Sequence, residues 1–258
     1  GGFQSYDFTG NRIPYGLGFM GADAMTDLFD ERARQIPIGD IDIEGPEEEF
    51  GFGEDSDVSG RTVAAVDNIY VTLPILWRAY EETGDPRFRD VAVSHADRHL
   101  DWHLREDGST QQITTFDRET GAVREQFSDL AYSDETCWAR GLGWNLAGLA
   151  RAYRETGAER YLAALERSTA YYVAHAPPDL VAHWDLADPA IPDAPRDTSA
   201  AALAAYGLVR LEGSADRVAR LRETGERILA SLVDGYLVTD PGDPRRGAVD
   251  HGTFNRPG

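Results

Sequence analysis

The chain contains no lysine. All 25 basic residues are arginine, against 45 aspartate and glutamate residues, for a formal charge of −20 over 258 residues. Clustered cations are what phosphate contact requires, so this balance argues against nucleic acid, and no nucleic-acid partner is expected. A dense carboxylate surface keeps a chain soluble in concentrated salt, and a salt-adapted protein is the expectation it raises. Cysteine is nearly absent too: Cys137 stands alone, so no disulfide framework can form within the chain. No apolar run of membrane-spanning length is free of charge, and no signal segment is visible. The expected setting is the cytoplasm, with no membrane partner.

What is present begins with Val63 to Gly84, VAAVDNIYVTLPILWRAYEETG. Ala65, Val66, Ile69, Tyr70, Leu73, Leu76, Trp77 and Tyr80 share one helical face, and Val71, Pro74 and Ile75 cover much of the other. A helix apolar all round is buried on all sides or crosses a membrane. Asp67, Arg78 and Thr72 inside it exclude the membrane, and the expectation is a buried helix carrying a carboxylate near its start. Trp77 reads as core.

The chain then repeats. AYEETGDPRFRDVA (79–92) matches AYRETGAERYLAAL (152–165), with Gly84 and Gly157 in register 73 residues apart. GLVRLEGSADRVARL (207–221) is a weaker third copy. Each copy joins an apolar helix (64–83, 137–156, 197–212) to an amphipathic one (86–104, 158–175, 214–232). Hairpins with one buried and one half-wet member predict stacked repeats in two concentric rings, an α/α toroid forming one domain over 1–258. Residues 1–62 read as an irregular entry region. It holds one helix, Gly21 to Gln35, and a Pro-, Gly- and acid-rich loop, Ile36 to Gly60.

The repeat aligns three ionisable residues. Asp67 lies seventeen residues before Gly84, Arg140 seventeen before Gly157, and Asp197 sixteen before Gly213. In a toroid of hairpins these helix starts converge on one mouth of the cavity. Asp197, followed by Thr198 and Ser199, equally suits a helix N-cap. Arg140 opposes the dipole preference at a helix start and calls for an anion. In YSDETCWARGLGW (132–144) it stands between Trp138 and Trp144, a guanidinium beside aromatic faces, suited to a sugar ring bearing a carboxylate. Trp184 in HWDLADP adds a third aromatic candidate. His95, His99 and His103 follow at i, i+4 and i+8, but one helix spreads them over about 12 Å, too far to share an ion. Neither metal nor cofactor is expected. Cys137 reads as a small buried residue.

Together VDNIYVTLPILWRAYEETGDPRFRDVA, HADRHLDWHLREDGST with TFDRETG, AYSDETCWARGLGW, HWDLADP, DTSAAALAAYGL and HGTFNRPG resemble the unsaturated glucuronyl hydrolases of glycoside hydrolase family 88, in family order from Val63 to Gly258. The rhamnogalacturonyl hydrolases of family 105 are more distantly similar. The resemblance implies an (α/α)6 barrel that removes a 4,5-unsaturated uronic acid from oligosaccharides left by polysaccharide lyases. Asp67 matches the acid/base, and Arg140 and Trp144 match a substrate-contacting pair. Trp138 and Trp184 extend the sugar wall, and Gln112 is a polar contact. Three positions depart from the family pattern. Gly16 in YGLGF stands where a second aspartate is usual, Gln112 where a histidine follows DGS, and Leu130 where a glutamine precedes the later motif. Asp7, Asp55 and Asp57 are alternative sources of a second carboxylate. A complete ring needs more helices than the chain supplies, so truncation at one or both ends is expected. The rivals are a toroidal sugar isomerase or epimerase, which would want histidines at the cavity mouth, and a non-catalytic uronic-acid-binding module.

Overall fold

The computed structural model describes residues 62–117 and 120–253, with two short strands before them. The expected helix from Gly21 to Gln35, the loop from Ile36 to Gly60, and Asp7, Gly16, Asp55 and Asp57 lie outside the described residues. The chain divides into two compact units, residues 1–64 with 115–125, and residues 65–114 with 126–258. In the first, β1 (Ser5–Tyr6) pairs antiparallel with β2 (Arg12–Ile13). There, too, Asp117 organises a turn, accepting from the backbone and hydroxyl of Thr120, both at 2.9 Å.

The second unit is mostly helical. After Asp67 come α1 (Asn68–Val71), α2 (Leu73–Thr83) and α3 (Pro86–Trp102). Then follow α4 (Ala139–Thr156), α5 (Glu159–His175), α6 (Thr198–Val209) and α7 (Asp216–Gly235). Three hairpins result: α2–α3, α4–α5 and α6–α7. No described helix is long and apolar enough to cross a membrane. The all-helical expectation needs one correction, because β3 (Thr62–Ala65), β4 (Ile113–Phe116) and β5 (Val123–Phe127) form a small sheet in that order.

The segment from Val63 to Gly84 is therefore not one helix. Its first residues are strand, and pairing continues past them where Val66 N donates to Gln112 O at 2.8 Å. β-branched Val63 suits that pairing. A second break falls at Thr72, because Pro74 lacks an N–H and its ring would strike the carbonyl one turn back. Proline is instead accommodated in the first turn of a new helix, α2. Nor is the segment buried all round: Val71 is 56% and Ile75 47% exposed, while Ile69, Leu73, Leu76 and Trp77 are core.

The repeat shows in the backbone. Gly84 (φ 68°) and Gly157 (φ 65°) each end a helix in the left-handed region, donating to Tyr80 O and Tyr153 O. A side chain disfavours that conformation, which explains glycine at both positions of the register. Asp85 then caps α3 by accepting from Arg87 N at 2.9 Å.

At the centre Leu142, Leu146 and Leu149 of α4 and Ala200, Ala201, Ala204 and Leu208 of α6 are buried. Gly207 allows the two axes to approach, since a Cβ there would lie 2.7 Å from the Ala147 Cα. Likewise a Cβ at Gly148 would lie 2.5 Å from Ile69, so that glycine seats α1 directly on α4. This contact brings Asp67 and Arg140 into one neighbourhood.

Candidate active site

Asp67 occupies the N-cap position of α1, with φ −62° and ψ −30°, and its side chain caps nothing. Oδ1 is buried without a hydrogen-bond partner among the described residues. Burial pushes its pKa up from 3.8 to about 6, against the opposing pull of the Arg140 charge and its own backbone N–H. A carboxyl whose pKa is raised to about 6 exchanges its proton closer to neutral pH than an ordinary aspartate, which is what a group acting in turn as acid and base needs.

Arg140 lies in the first turn of α4, mostly buried. Nη1 donates to Thr253 O at 2.8 Å and to Ser199 Oγ at 3.3 Å. Its guanidinium stands 4.9 Å from the centre of the Trp138 ring, and Asp197 Oδ2 is 3.9 Å from Nη1. Of the three ionisable residues of the repeat register, Arg140 lies beside Asp197, and its charge reaches Asp67.

The aromatic candidates divide. Trp144 keeps part of its surface exposed and leans on Tyr70, with ring centres 5.1 Å apart. Trp138 (5% exposed) and Trp184 (2%) are buried with Val66, Ala131 and Ala194, and Leu130 and Trp144 pack against this cluster. The Trp184 N–H is committed to Asp188 Oδ2 at 2.6 Å. Trp184 is therefore a packed member of this cluster, with its indole N–H already taken. Gln112 is also turned inward: its Oε1 accepts from Ser128 Oγ at 2.9 Å and Leu130 N at 2.8 Å, fixing the loop that follows β5.

The histidines of α3 brace the helices. His99 Nε2 is 2.9 Å from Asn145 Oδ1, whose Nδ2 donates to Ser168 Oγ at 2.9 Å, a buried chain from α3 through α4 to α5. His103 Nδ1 is 3.0 Å from Gln111 O, and burial lowers its pKa to about 4. Among the described residues no group of His, Cys, Asp and Glu is placed to hold a metal ion. Cys137 sits just before α4 rather than in it, buried, with its thiol pKa pushed up to about 11 by that burial. It is a packed side chain, not a nucleophile.

Several supporting residues were not singled out by sequence reasoning. Asp185 Oδ2 accepts from Tyr132 N (2.8 Å) and Thr136 Oγ1 (2.7 Å), joining HWDLADP to the loop before Arg140. Arg105 donates to Thr136 O at 2.9 Å and Asp134 O at 2.5 Å, holding the same loop from the other side. Both lie inside recognised motifs, so the signal was present, but spacing alone does not tell a bracing carboxylate from a reacting one. Ser199 and Thr253 lie inside recognised motifs too, DTSAAALAAYGL and HGTFNRPG, but their contact with Arg140 shows only in the folded chain.

A mostly helical unit of paired helices carries a carboxyl of raised pKa, an arginine and a part-exposed tryptophan at or near the starts of α1 and α4. The profile of Glycosyl Hydrolase Family 88 matches residues 61–233, and the chain belongs to that family. The unsaturated glucuronyl hydrolase of Formosa agariphila is 36% identical over 148 residues, covering 57% of this chain and 37% of the relative. That of Bacillus sp. strain GL1 is 29% identical over 238 residues, covering 88% and 62%. The unsaturated chondroitin disaccharide hydrolase of Streptococcus pneumoniae is 31% identical over 190 residues, covering 72% and 48%. Among solved structures, the Bacillus sp. GL1 unsaturated glucuronyl hydrolase superposes with a TM-score of 0.74 at 30% identity, over 91% of this chain and 60% of that one. A Streptococcus agalactiae variant complexed with dGlcA-GalNAc6S superposes with a TM-score of 0.61 at 29% identity, over 74% and 51%. The chain spans between 37% and 62% of the length of these curated relatives.

Proposed function

We propose that the chain carries the catalytic centre of a hydrolase that removes a 4,5-unsaturated uronic acid from the non-reducing end of lyase-generated oligosaccharides. The observation that carries this reading is the buried, unpartnered Asp67 oxygen beside Arg140. Asp67 in its acid form protonates C4 of the vinyl ether, and positive charge develops at C5 and the ring oxygen. Water adds at C5 and returns its proton to Asp67, leaving a hemiketal that opens and releases the next sugar. Arg140 takes the uronate carboxylate in a planar two-pronged contact. Trp144 supplies an apolar face for a sugar ring, with Trp138, Trp184 and Gln112 shaping the wall behind it. The three hairpins are read as part of an (α/α)6 toroid, a reading supported by their repeat and by the matched structures.

The test is to incubate the protein with unsaturated disaccharides from several lyases and follow the ultraviolet absorbance of the conjugated double bond. Loss of absorbance with release of the second sugar is expected. Binding without loss would instead favour the uronic-acid-binding module, and no binding to any of the panel would remove the uronyl reading.

A further inference from the structure

Residues 250–253 are tied across the start of α6. Thr198 N donates to His251 O at 3.1 Å, and Thr198 Oγ1 donates to Asp250 O at 2.8 Å. Thr253 donates its hydroxyl to Arg196 O at 2.7 Å and its N–H to Asp197 Oδ1 at 3.5 Å. The segment is also fixed behind, by the 2.7 Å ion pair of Asp250 with Arg245 and by Asp250 N donating to Tyr236 O at 2.9 Å. Between these anchors His251 adopts φ 60°, a left-handed backbone that a non-glycine residue holds only when its surroundings enforce it.

This strap ends on the guanidinium of the site. Thr253 O and Ser199 Oγ accept from the same nitrogen, Arg140 Nη1, at 2.8 and 3.3 Å. Both acceptors are neutral, and both are organised by Asp197, whose Oδ1 also takes Ser199 Oγ at 2.5 Å. Arginine matches a carboxylate only when its planar fork is aimed, and a side chain aimed in advance loses less rotamer freedom on binding. We infer that Thr253 is a positioning residue for uronate recognition: through the strap its carbonyl fixes the fork of Arg140 beside Asp67. The inference rests on the uronyl reading of the site.

The test uses Thr253→Val, which keeps the shape but removes the donor to Arg196 O, and Thr253→Ser, which keeps the donor. Both are assayed with an unsaturated uronyl disaccharide and with its methyl ester, which lacks the charge that Arg140 reads. Thr253→Val should raise KM for the acid about tenfold, the size of one lost hydrogen bond to a charged group, with kcat and the KM for the ester little changed. Thr253→Ser should restore the wild-type value. A general loosening of the fold would raise both KM values together, and that result would overturn the inference. So would a Thr253→Val KM for the acid within about twofold of wild type. Should Thr253→Val lower the melting temperature sharply, Thr253→Ala adds no bulk and is read by the same acid-against-ester split. If the wild type binds without turnover, calorimetric Kd values for acid and ester replace KM, with the same split expected and the same outcomes overturning the inference. A wild type that binds neither overturns both readings, whereas an active wild type with an indifferent Thr253→Val overturns this one alone.

Discussion

Asp67 and Asp197 stand at equivalent places in a repeat, each at the start of an apolar helix and within reach of the Arg140 charge, and they cap their helices differently. Asp197 does what an aspartate at a helix start ordinarily does: Oδ1 accepts from Ser199 N at 3.1 Å and from the Ser199 hydroxyl. Asp67 makes no such cap, and its buried Oδ1 has no partner among the described residues. Backbone conformation explains the divergence. Asp197 has extended backbone (φ −127°, ψ 91°), which turns a carboxylate towards the N–H two residues on. Asp67 is already helical, so its side chain points away from the first turn. Each keeps one buried oxygen without a hydrogen bond among the described residues, Asp67 Oδ1 and Asp197 Oδ2, so what separates them is the cap that Asp197 makes with its other oxygen and Asp67 does not.

The largest effect that can break this contrast is on rate. Asp67→Asn keeps the size of the side chain but cannot move a proton, and turnover should fall about 10²–10⁴-fold with KM little altered. Retention of more than about a tenth of wild-type turnover would take Asp67 out of the mechanism. The wild-type pH profile gives a companion measurement: if the acid form starts the reaction, kcat/KM should decline as pH rises through about 6, the value to which burial lifts Asp67.

Arg140 serves both aspartates, so changing it sharpens the comparison. Arg140→Gln removes the cation that draws the Asp67 pKa down, and the midpoint of the pH profile should move above about 6. The same change loses the two-pronged carboxylate contact, and KM should rise about tenfold or more. An unmoved midpoint with an unmoved KM would detach Arg140 from the site.

Much of this arrangement was legible in the sequence. Helix α3 and the hairpins α4–α5 and α6–α7 begin and end within a few residues of their expected places, and α2 ends where expected but starts nine residues late, at Leu73 rather than 64; Gly84, Gly157 and Asp85 mark helix ends by local chemistry. The approach of Arg140 to Asp197 and the reach of its charge to Asp67 fit the repeat register, since a register is a statement about space. What was not legible depends on partners far along the chain. The strand at Val63 is set by Gln112 O, and the inward turn of Gln112 by Ser128 and Leu130. Trp184 reads as an exposed sugar platform until Asp188 is seen to hold its indole N–H. The break at Thr72 was available in Pro74 but was outweighed by the apolar run around it. The correction there is local: proline chemistry prevails over hydrophobic pattern wherever the two disagree.

A smaller effect concerns stability. The folded-state pKa of Asp67 lies above its unfolded value, so its contribution is fully present below about pH 4 and is lost as pH rises through about 6. Above that pH the native state holds an ionised, poorly solvated carboxylate. Asp67→Asn should therefore be more stable than wild type by about 1–3 kcal/mol at pH 8 and nearly equal to it at pH 4. Denaturant melts at the two pH values measure this directly. An inactive variant that is also no more stable at pH 8 would mean that the carboxyl is better solvated than its surroundings imply.

The smallest effect is at Asp197, and there the two substitutions must disagree with each other. Asparagine caps a helix about as well as aspartate, so Asp197→Asn keeps the acceptor for Ser199 N and should change stability by no more than about 0.5 kcal/mol. Alanine offers no acceptor, and Asp197→Ala should cost about 0.5–2 kcal/mol. It frees Ser199 and Thr253 together, since both are held by the lost oxygen. Turnover per bound substrate should survive both changes, because no proton of the reaction passes through Asp197. If Asp197→Asn instead matched Asp67→Asn in rate, the two aspartates would form one catalytic pair across Arg140. Asp197 Oδ2, buried, without a hydrogen bond among the described residues and 3.9 Å from Arg140 Nη1, is the atom through which that would act. Measuring kcat for the two asparagine variants side by side decides it: a loss confined to Asp67 keeps the division between reacting and capping carboxylates, and equal losses abolish it.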